Sequence, residues 1–311
     1  CTSLSDINFP SGLKTIGNTA FCKCLFTSIE LPDTITTISN GAFSYCDQMT
    51  EAIVPSGALY NSVFSYCTEL QKVTLGDGVY SLANAVFQGS TSLTDLNVSA
   101  GNPYFCSEDN IVYDKDKTVL SQFSPAISGA VTLPDSLTAI KEFSLQNCPY
   151  VTSVTLPSGL TSVGASVFAS CPMLTRVVFE GPCPTFSDDC YTNRSASLVT
   201  YYPVKYESSW SSFSLTNKQA YANVTWELSD GNEAATTMEY VNSGLIAAPD
   251  DPERDGYVFA GWYDGPGDDA TAWDFAASVV TDDVTLYAHW TGNSYTITFD
   301  SNGGSEVAEI T

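Results

Sequence analysis

The chain has 311 residues, of which 43% are hydrophobic and 15% charged: long enough for two domains or an extended repeat array, and apolar enough to fold. Eleven Lys and Arg stand against 35 Asp and Glu, a net charge of −24, which repels phosphate backbones and anionic lipid and argues against nucleic-acid or membrane-surface partners. No run approaches the roughly 20 apolar residues that cross a bilayer, and no basic segment followed by an apolar one opens the chain; no membrane insertion is expected, and any export signal or wall anchor would lie outside this sequence.

From the first residues onward one unit recurs: INFPSGLKTI from Ile7, IELPDTITTI from Ile29, VTLGDGVYSL from Val73, VTLPDSLTAI from Val131 and VTLPSGLTSV from Val154. Its proline slot falls at Pro10, Pro32, Pro55, Gly76, Ser99, Pro134, Pro157, Glu180 and Pro203, with spacings of 22, 23, 21, 23, 35, 23, 23 and 23 residues. Nine rungs are expected. A second column holds Phe21, Phe43, Phe64, Phe87, Phe143 and Phe168. A third holds Cys1, Cys46, Cys67, Ser90, Cys148 and Cys171, each nine residues before the proline slot. Whether Cys22 or Cys24 fills that column in the first-to-second turn is open. A short apolar-x-apolar strand at this period predicts a solenoid whose strands stack into one parallel sheet about 4.8 Å apart. Ile29/Leu31, Ala52/Val54, Val73/Leu75, Val154/Leu156 and Val177/Phe179 then form part of its inward ladders. Within the one long repeat, Ile111–Tyr113 and Thr118–Leu120 around Asp114–Lys117 are read as a β-hairpin.

The combination Cys-x-x-Leu-Thr, apolar-Thr-Leu-Pro, Leu-Thr-x-Ile and a closing Phe resembles the BspA-like class of leucine-rich repeats found on bacterial surfaces, over residues 1–215. The resemblance implies a hairpin insertion, here near 102–128, and a cap at 181–215 that covers the last apolar face.

After Trp210 the composition shifts. Val224, Trp226 and Leu228, then Val284, Leu286, Ala288 and Trp290, alternate with polar residues as half-buried strands do. GYVFAGWYDGPGDDATAWDF from Gly256 and VTLYAHW from Val284 resemble the Listeria–Bacteroides (internalin B-type) repeat, which implies a small β-grasp-like module over 221–290, used in tandem as a stalk. Tyr295–Asp300 followed by SNGG repeats the opening of that unit, Ile297 lying 73 positions after Val224, so a second copy is expected to begin within 294–311. The fold class is therefore mainly β, a leucine-rich-repeat solenoid followed by a small β-grasp-like domain.

Little in the chain points to chemistry. The sole histidine, His289, lies far from the cysteine-rich half, which leaves a Cys/His metal site or nucleophilic pair without its second member. A cysteine column at the fold period is structural, and parallel strands set its Cβ vectors side by side rather than facing, so these thiols are expected to be reduced. Cys183 and Cys190 sit off the column around a Pro-containing turn and are candidates for a disulfide. Cys106 has no evident partner, and Cys1 is explained by the column rather than by lipidation. Asp188/Asp189 and Asp268/Asp269 lack the alternating ligand spacing of a calcium loop; no cofactor or metal is expected. The remaining candidate surface is the outward side of the strands, which holds Asp6, Asn8, Ser28, Glu30, Glu51, Ile53, Lys72, Thr74, Asp95 and Asn97, then Ser153 and Thr155; Asp6, Glu30, Glu51 and Asp95 make its first half an acidic half-stripe. A merely solvated sheet face would look the same. The leading expectation is a non-catalytic, secreted, monomeric surface protein binding an extracellular host or matrix protein; a structural spacer and a glycan-binding protein are the alternatives, the last disfavoured because the stripe has few aromatics apart from Tyr201.

Overall fold

A computed structural model describes residues 3–187, 189–215, 217–305 and 307–308. Cys1 of the cysteine column and Asp188 lie outside the described residues. The chain forms two compact units, one of Cys1–Tyr202 with Ser208–Lys218, the other of Pro203–Glu207 with Gln219–Thr311.

In the first unit eight turns each contribute a strand to a parallel ladder: Ser28–Glu30, Glu51–Leu59, Lys72–Leu82 and Asp95–Val98 before the long repeat, then Gly129–Thr132, Val151–Leu156, Arg176–Phe179 and Val199–Pro203 after it. The ninth expected rung, around Ile7 and Phe9, packs half-buried against the core but has no strand partner among the described residues. Register follows the sequence ladders: Ile29 pairs with Ala52, Val73 with Leu96 and Val154 with Val177. All six are at most 4% exposed. Gly76 takes a proline slot for a local reason, since a Cβ there would stand 2.5 Å from Pro55 O.

A second, shorter ladder runs along another face. Thr15–Ile16 pairs with Thr37–Ile38, and that with Ala58 and Leu59; after the long repeat Ala139–Ile140, Ser162–Val163 and Thr185–Phe186 repeat the arrangement. Between the ladders the phenylalanine column stacks ring on ring, with centroids 5.4 Å apart for Phe21/Phe43, 5.5 Å for Phe43/Phe64 and 6.1 Å for Phe64/Phe87.

The turns that carry this column are built on left-handed residues. Thr19, Gly41, Ser62, Ala85, Phe143 and Ser166 have φ of 51–60°, and Lys23, Tyr45, Tyr66, Gly89, Asn147 and Ser170, four positions on, have φ of 55–74°. Each non-glycine member costs on the order of 1 kcal/mol, which only tertiary packing can offset. This corrects one assignment. Phe143 belongs to the left-handed column, half-buried, and Leu145, three residues before Cys148 as Phe43 is before Cys46, takes the core place. By the same offset the fully buried Cys24, three after Phe21, fills the slot left open between Cys22 and Cys24.

Side chains knit successive turns together. Cys46, Cys67 and Cys171 thiols donate to the carbonyls of Phe21, Phe43 and Leu145 in the preceding turn, each at 3.1 Å, and Ser90 makes the same bond to Phe64 O at 2.7 Å. The column thus selects a small buried donor, which Cys and Ser both supply. Asn18, Asn40 and Asn61 each accept, through Oδ1, the backbone N–H of the next asparagine, ending at Asn84 (3.1–3.2 Å). Burial raises the Cys24 and Cys148 thiols above the ordinary cysteine range, and the hydrogen bond shared with Cys46, together with burial, pushes Cys67 the same way.

The long repeat holds more than the expected hairpin. Phe105–Glu108, Ile111–Asp114 and Val119–Phe123 form a three-stranded antiparallel meander, its first turn made by Asp109 and Asn110 at φ of 49° and 63°, the geometry of a two-residue type I′ loop. The fully buried Asn102 anchors it: Nδ2 donates to Gly76 O and Val79 O while Oδ1 accepts from Tyr104 and Phe105 N–H, all at 2.8 Å. Gln122, also buried, accepts from Val86 N–H and donates to Ala83 O. At the end of the first unit Trp210 is fully buried, 4.8 Å from the Phe179 ring and donating to Gly181 O at 3.2 Å.

In the second unit Lys218–Glu227 pairs antiparallel with Ala235–Tyr240 and parallel with Val284–Gly292, which pairs antiparallel with Tyr257–Tyr263. Val224, Leu286 and Ala288 are buried, and the Trp226 and Trp262 rings meet edge to face at 4.8 Å. Tyr295, Ile297 and Phe299 keep the alternation of an opening strand but are exposed; Ile297 makes a single bridge and none of the three lies in a strand.

Replacing Phe87 by Ala empties a stack that neighbours cannot refill and is expected to cost about 3–5 kcal/mol in denaturant unfolding; a neutral result would place the column outside the core. Cys46, Cys67, Cys148 and Cys171 should resist alkylation at neutral pH in the native protein and react only once it is denatured; rapid native labelling read by peptide mass spectrometry would contradict their burial.

Candidate protein-binding face

Because side chains alternate along each strand, every core residue is flanked by outward ones, and the parallel register lines these up across turns. Ser28, Glu51, Lys72 and Asp95 form one cross-strand row; Glu30, Ile53, Thr74 and Asn97 form the next. Glu30, Lys72 and Asn97 are exposed, while Glu51, Ile53, Thr74 and Asp95 are half-buried. Of the sequence-assigned residues, Glu30, Glu51, Asp95 and Asn97 therefore share one lattice. Asp6 and Asn8 are exposed but lie before the first strand, and no ladder fixes their place in it.

The acidic half-stripe is partly neutralised. Lys72 reaches Glu51 at 3.0 Å, and that hydrogen bond, with the carboxylate charge, raises the lysine above its ordinary range. Asn97 donates through Nδ2 to Asp95 Oδ1. The carboxylates left to attract a cation are those at Glu30 and Asp95, the latter bordered by Lys72 in register. Beyond the long repeat the face changes character: Ser153, Arg176 and Val199 form one row and Thr155, Val178 and Tyr201 the other, with the Arg176 guanidinium 4.3 Å from the Tyr201 ring centroid.

Sequence reasoning missed an aromatic ridge on the turns. Tyr45 and Tyr66 stack at 5.0 Å and 11°, Lys23 lies 5.6 Å from the Tyr45 ring, and Gly89 closes the row, where a Cβ would fall 2.5 Å from the Tyr66 ring. The signal was present as tyrosine immediately before cysteine in two consecutive repeats.

The other candidate groups are dispersed. Cys183 and Cys190 stand as free thiols; burial pushes Cys190 up to about 12 and raises Cys183 as well. The Cys106 thiol donates to Asp114 O at 3.2 Å. His289 stacks on Tyr263 at 3.9 Å with a ring nitrogen 2.9 Å from Gly265 O, and Asp268 and Asp269 are exposed in a turn. Among the described residues no three His, Cys, Asp or Glu side chains group to hold a metal ion, and no helix is long and apolar enough to cross a membrane.

Comparison with known proteins adds the family. The BspA type leucine rich repeat region matches residues 1–108 and 122–223 in 6 copies, and the Listeria-Bacteroides repeat domain matches residues 223–289. Internalin H of Listeria monocytogenes is 41% identical over 83 residues, 26% of this chain and 15% of that protein; a putative membrane protein of Evansella cellulosilytica is 40% identical over 83 residues, 26% of this chain and 12% of that protein. The chain thus matches only a small part of these relatives' length. Among solved structures, pneumococcal vaccine antigen PcpA is similar at 20% identity and TM-score 0.49, over 61% of this chain and 60% of that one.

Exposed pairs such as Glu51 and Lys72 contribute little to stability. Glu51→Gln and Lys72→Ala should each move the melting temperature by no more than about 2 °C; a larger loss by calorimetry would mean that the face is structural rather than available for recognition.

Proposed function

The chain belongs to the BspA-type leucine-rich-repeat family and carries a Listeria–Bacteroides repeat domain, and from that premise we propose that it is a non-catalytic bacterial surface protein whose solenoid recognises another protein. The observation that carries this is the pair of in-register rows on the outward strand face: side chains there stand on a rigid lattice, lie outside the core except for the buried Val178, and change from acidic near Glu30 to mixed aromatic and basic near Tyr201. A stacked sheet gives such a face the length and stiffness to engage a macromolecule without ordering itself on binding. Extracellular display is supported by relatives described as a putative membrane protein and as an internalin, and the second unit would serve as a module of the stalk. A glycan reading draws support from one feature only, the Tyr45/Tyr66 ridge, since stacked rings beside a lysine suit a sugar face.

Binding is expected to be steered by charge. In surface plasmon resonance against a panel of purified matrix proteins, the acidic half-stripe should favour a basic partner, with affinity falling as salt rises to physiological strength. Glu30→Lys is the cleaner reversal, because a lysine at position 51 would also face Lys72. It should weaken binding several-fold and leave the melting temperature nearly unchanged. Equal binding by this variant and the parent at low salt would place the site elsewhere, and a panel with no binder would favour a spacer role.

A further inference from the structure

The long repeat interrupts the sheet, and the interruption is mended on one side only. In this parallel ladder, residues with side chains in the core direct their backbone groups to the following strand, as Leu31 N–H does to Ile53 O at 3.1 Å and Leu133 N–H to Thr155 O at 3.0 Å. Residues with outward side chains direct theirs to the preceding strand, as Ser99 N–H does to Leu75 O at 2.8 Å. In Asp95–Val98, the last strand before the break, the groups that would meet a following strand are Leu96 and Val98. Their N–H groups are taken by side chains of the insertion, Asn110 Oδ1 at 2.9 Å and Ser107 Oγ at 2.8 Å.

Across the break the situation differs. Gly129–Thr132 opens the next ladder and has Val151–Leu156 as its one strand partner among the described residues. The outward residues Ala130 and Thr132 point their N–H and C=O groups away from that partner, and none of these groups has a protein hydrogen bond among the described residues. Both residues are exposed. Along this edge runs a cleft of about 330 Å³, with Ala130, Thr132 and Pro134 on one side and Asp109, Ile111 and Tyr113 of the meander on the other. Tyr113 is 2% exposed and contributes ring surface to the cleft wall. The carboxylates at the rim are Glu108 and Asp109; Glu108 is held by Lys117 at 2.7 Å, which leaves Asp109, exposed on its turn, to face an incoming charge.

An edge with paired donors and acceptors, an apolar wall and a rim carboxylate is what strand addition uses: main-chain bonds supply affinity, and alternate side chains supply selectivity. We propose that the Gly129–Thr132 edge and its cleft take an extended segment of a protein partner that carries lysine or arginine, added to the sheet as a strand in the gap. Ala130 and Thr132 continue the outward rows as the partners of Ser153 and Thr155, but the groups used here are main-chain ones at the sheet edge, so this site does not depend on the outward face being a binding surface.

The test uses the full 311-residue chain and a short, amidated, fluorescein-labelled peptide of alternating valine and lysine, with a valine–glutamate peptide as control. The lysine peptide should bind by fluorescence anisotropy, more weakly as salt rises, and should protect the Ala130 and Thr132 amides in NMR hydrogen exchange, while the glutamate peptide does neither. Thr132→Pro removes a donor that faces the gap rather than Val151–Leu156, which suits proline at an edge; it should weaken binding about tenfold or more. Asp109→Asn keeps the left-handed turn, which asparagine adopts readily, and should weaken binding several-fold at low salt only. Equal binding of the two peptides, binding without protection of these amides, or no binding at all would overturn the proposal, as would an unchanged affinity in a folded Thr132→Pro protein. Should that variant fold poorly, amide protection in the parent and the affinity of Asp109→Asn decide. Dimerisation of the chain that occludes the edge without peptide binding would assign it to a second copy and likewise overturn it.

Discussion

The structure depends on one constraint: whatever occupies a position in one turn must tolerate its equivalent about 4.8 Å away in the next. Apolar strand residues satisfy it by stacking, as Ala52, Val73 and Leu96 do in register. Polar residues satisfy it by bonding to their own copies, as the asparagine series does from Asn18 to Asn84. Thiols satisfy it by donating to the carbonyl of the turn before. A side chain with no partner in the adjacent turn is buried at a cost that no neighbour offsets, so each column narrows to residues of one kind. The left-handed turn columns show how strong the constraint is. They hold Tyr45, Tyr66 and Phe143 at φ near 60°, a conformation such residues avoid in isolation, because ring packing and inter-turn hydrogen bonds outweigh the local strain.

The long repeat is where the constraint fails, and the surrounding residues show what failure demands. A strand left without its next neighbour presents open backbone groups. The insertion answers on the first side with Asn110 and Ser107 and ties itself down with Asn102, which uses all four of its side-chain hydrogen-bonding positions. Gln122 then bridges Val86 N–H and Ala83 O, groups whose equivalents in earlier turns bond to each other directly, as Ala42 N–H does to Ser39 O. These are side chains imitating a missing main chain. They work one group at a time, which is why the repair covers one edge and leaves the other to solvent.

Legibility in the sequence divides along the same line. Whatever repeats could be read: the strand ladders, the proline slot, the cysteine column and the parallel sheet all carry their own internal controls. What departs from the repeat could not. Phe143 was placed by residue type, although Leu145 holds the offset from Cys148 that defines the core column; identity of side chain misled where spacing would have decided. The strand Phe105–Glu108 escaped because its pairing rests on the Asp109–Asn110 turn, a signal overshadowed by the more obvious turn at Asp114–Lys117. Asn102 and Gln122 occur once each and have no periodic signature, so their roles appear only with the contacts. The outward side of the strands, Lys72 included, could be assigned as a position, but that Lys72 turns to Glu51 and partly neutralises the stripe appears only with the contact itself.

The same separation explains why fold and partner are so unequally written in this chain. Inward positions answer to their neighbours above and below, and any change is felt through the stack. Outward positions answer to solvent alone, where substitutions change stability little, so they are free to be shaped by whatever binds. Negative charge on such positions, as at Glu30, Glu51 and Asp95, is tolerated because exposed carboxylates spaced along a stiff lattice repel one another weakly through water and salt. It is useful for the same reason, since a field that costs the fold little can still act on an approaching molecule over a Debye length. Specificity then has to come from places where geometry is fixed rather than averaged, and the chain has few of these: the register of the outward rows, the tyrosine ridge, and the one strand edge that its own side chains leave open.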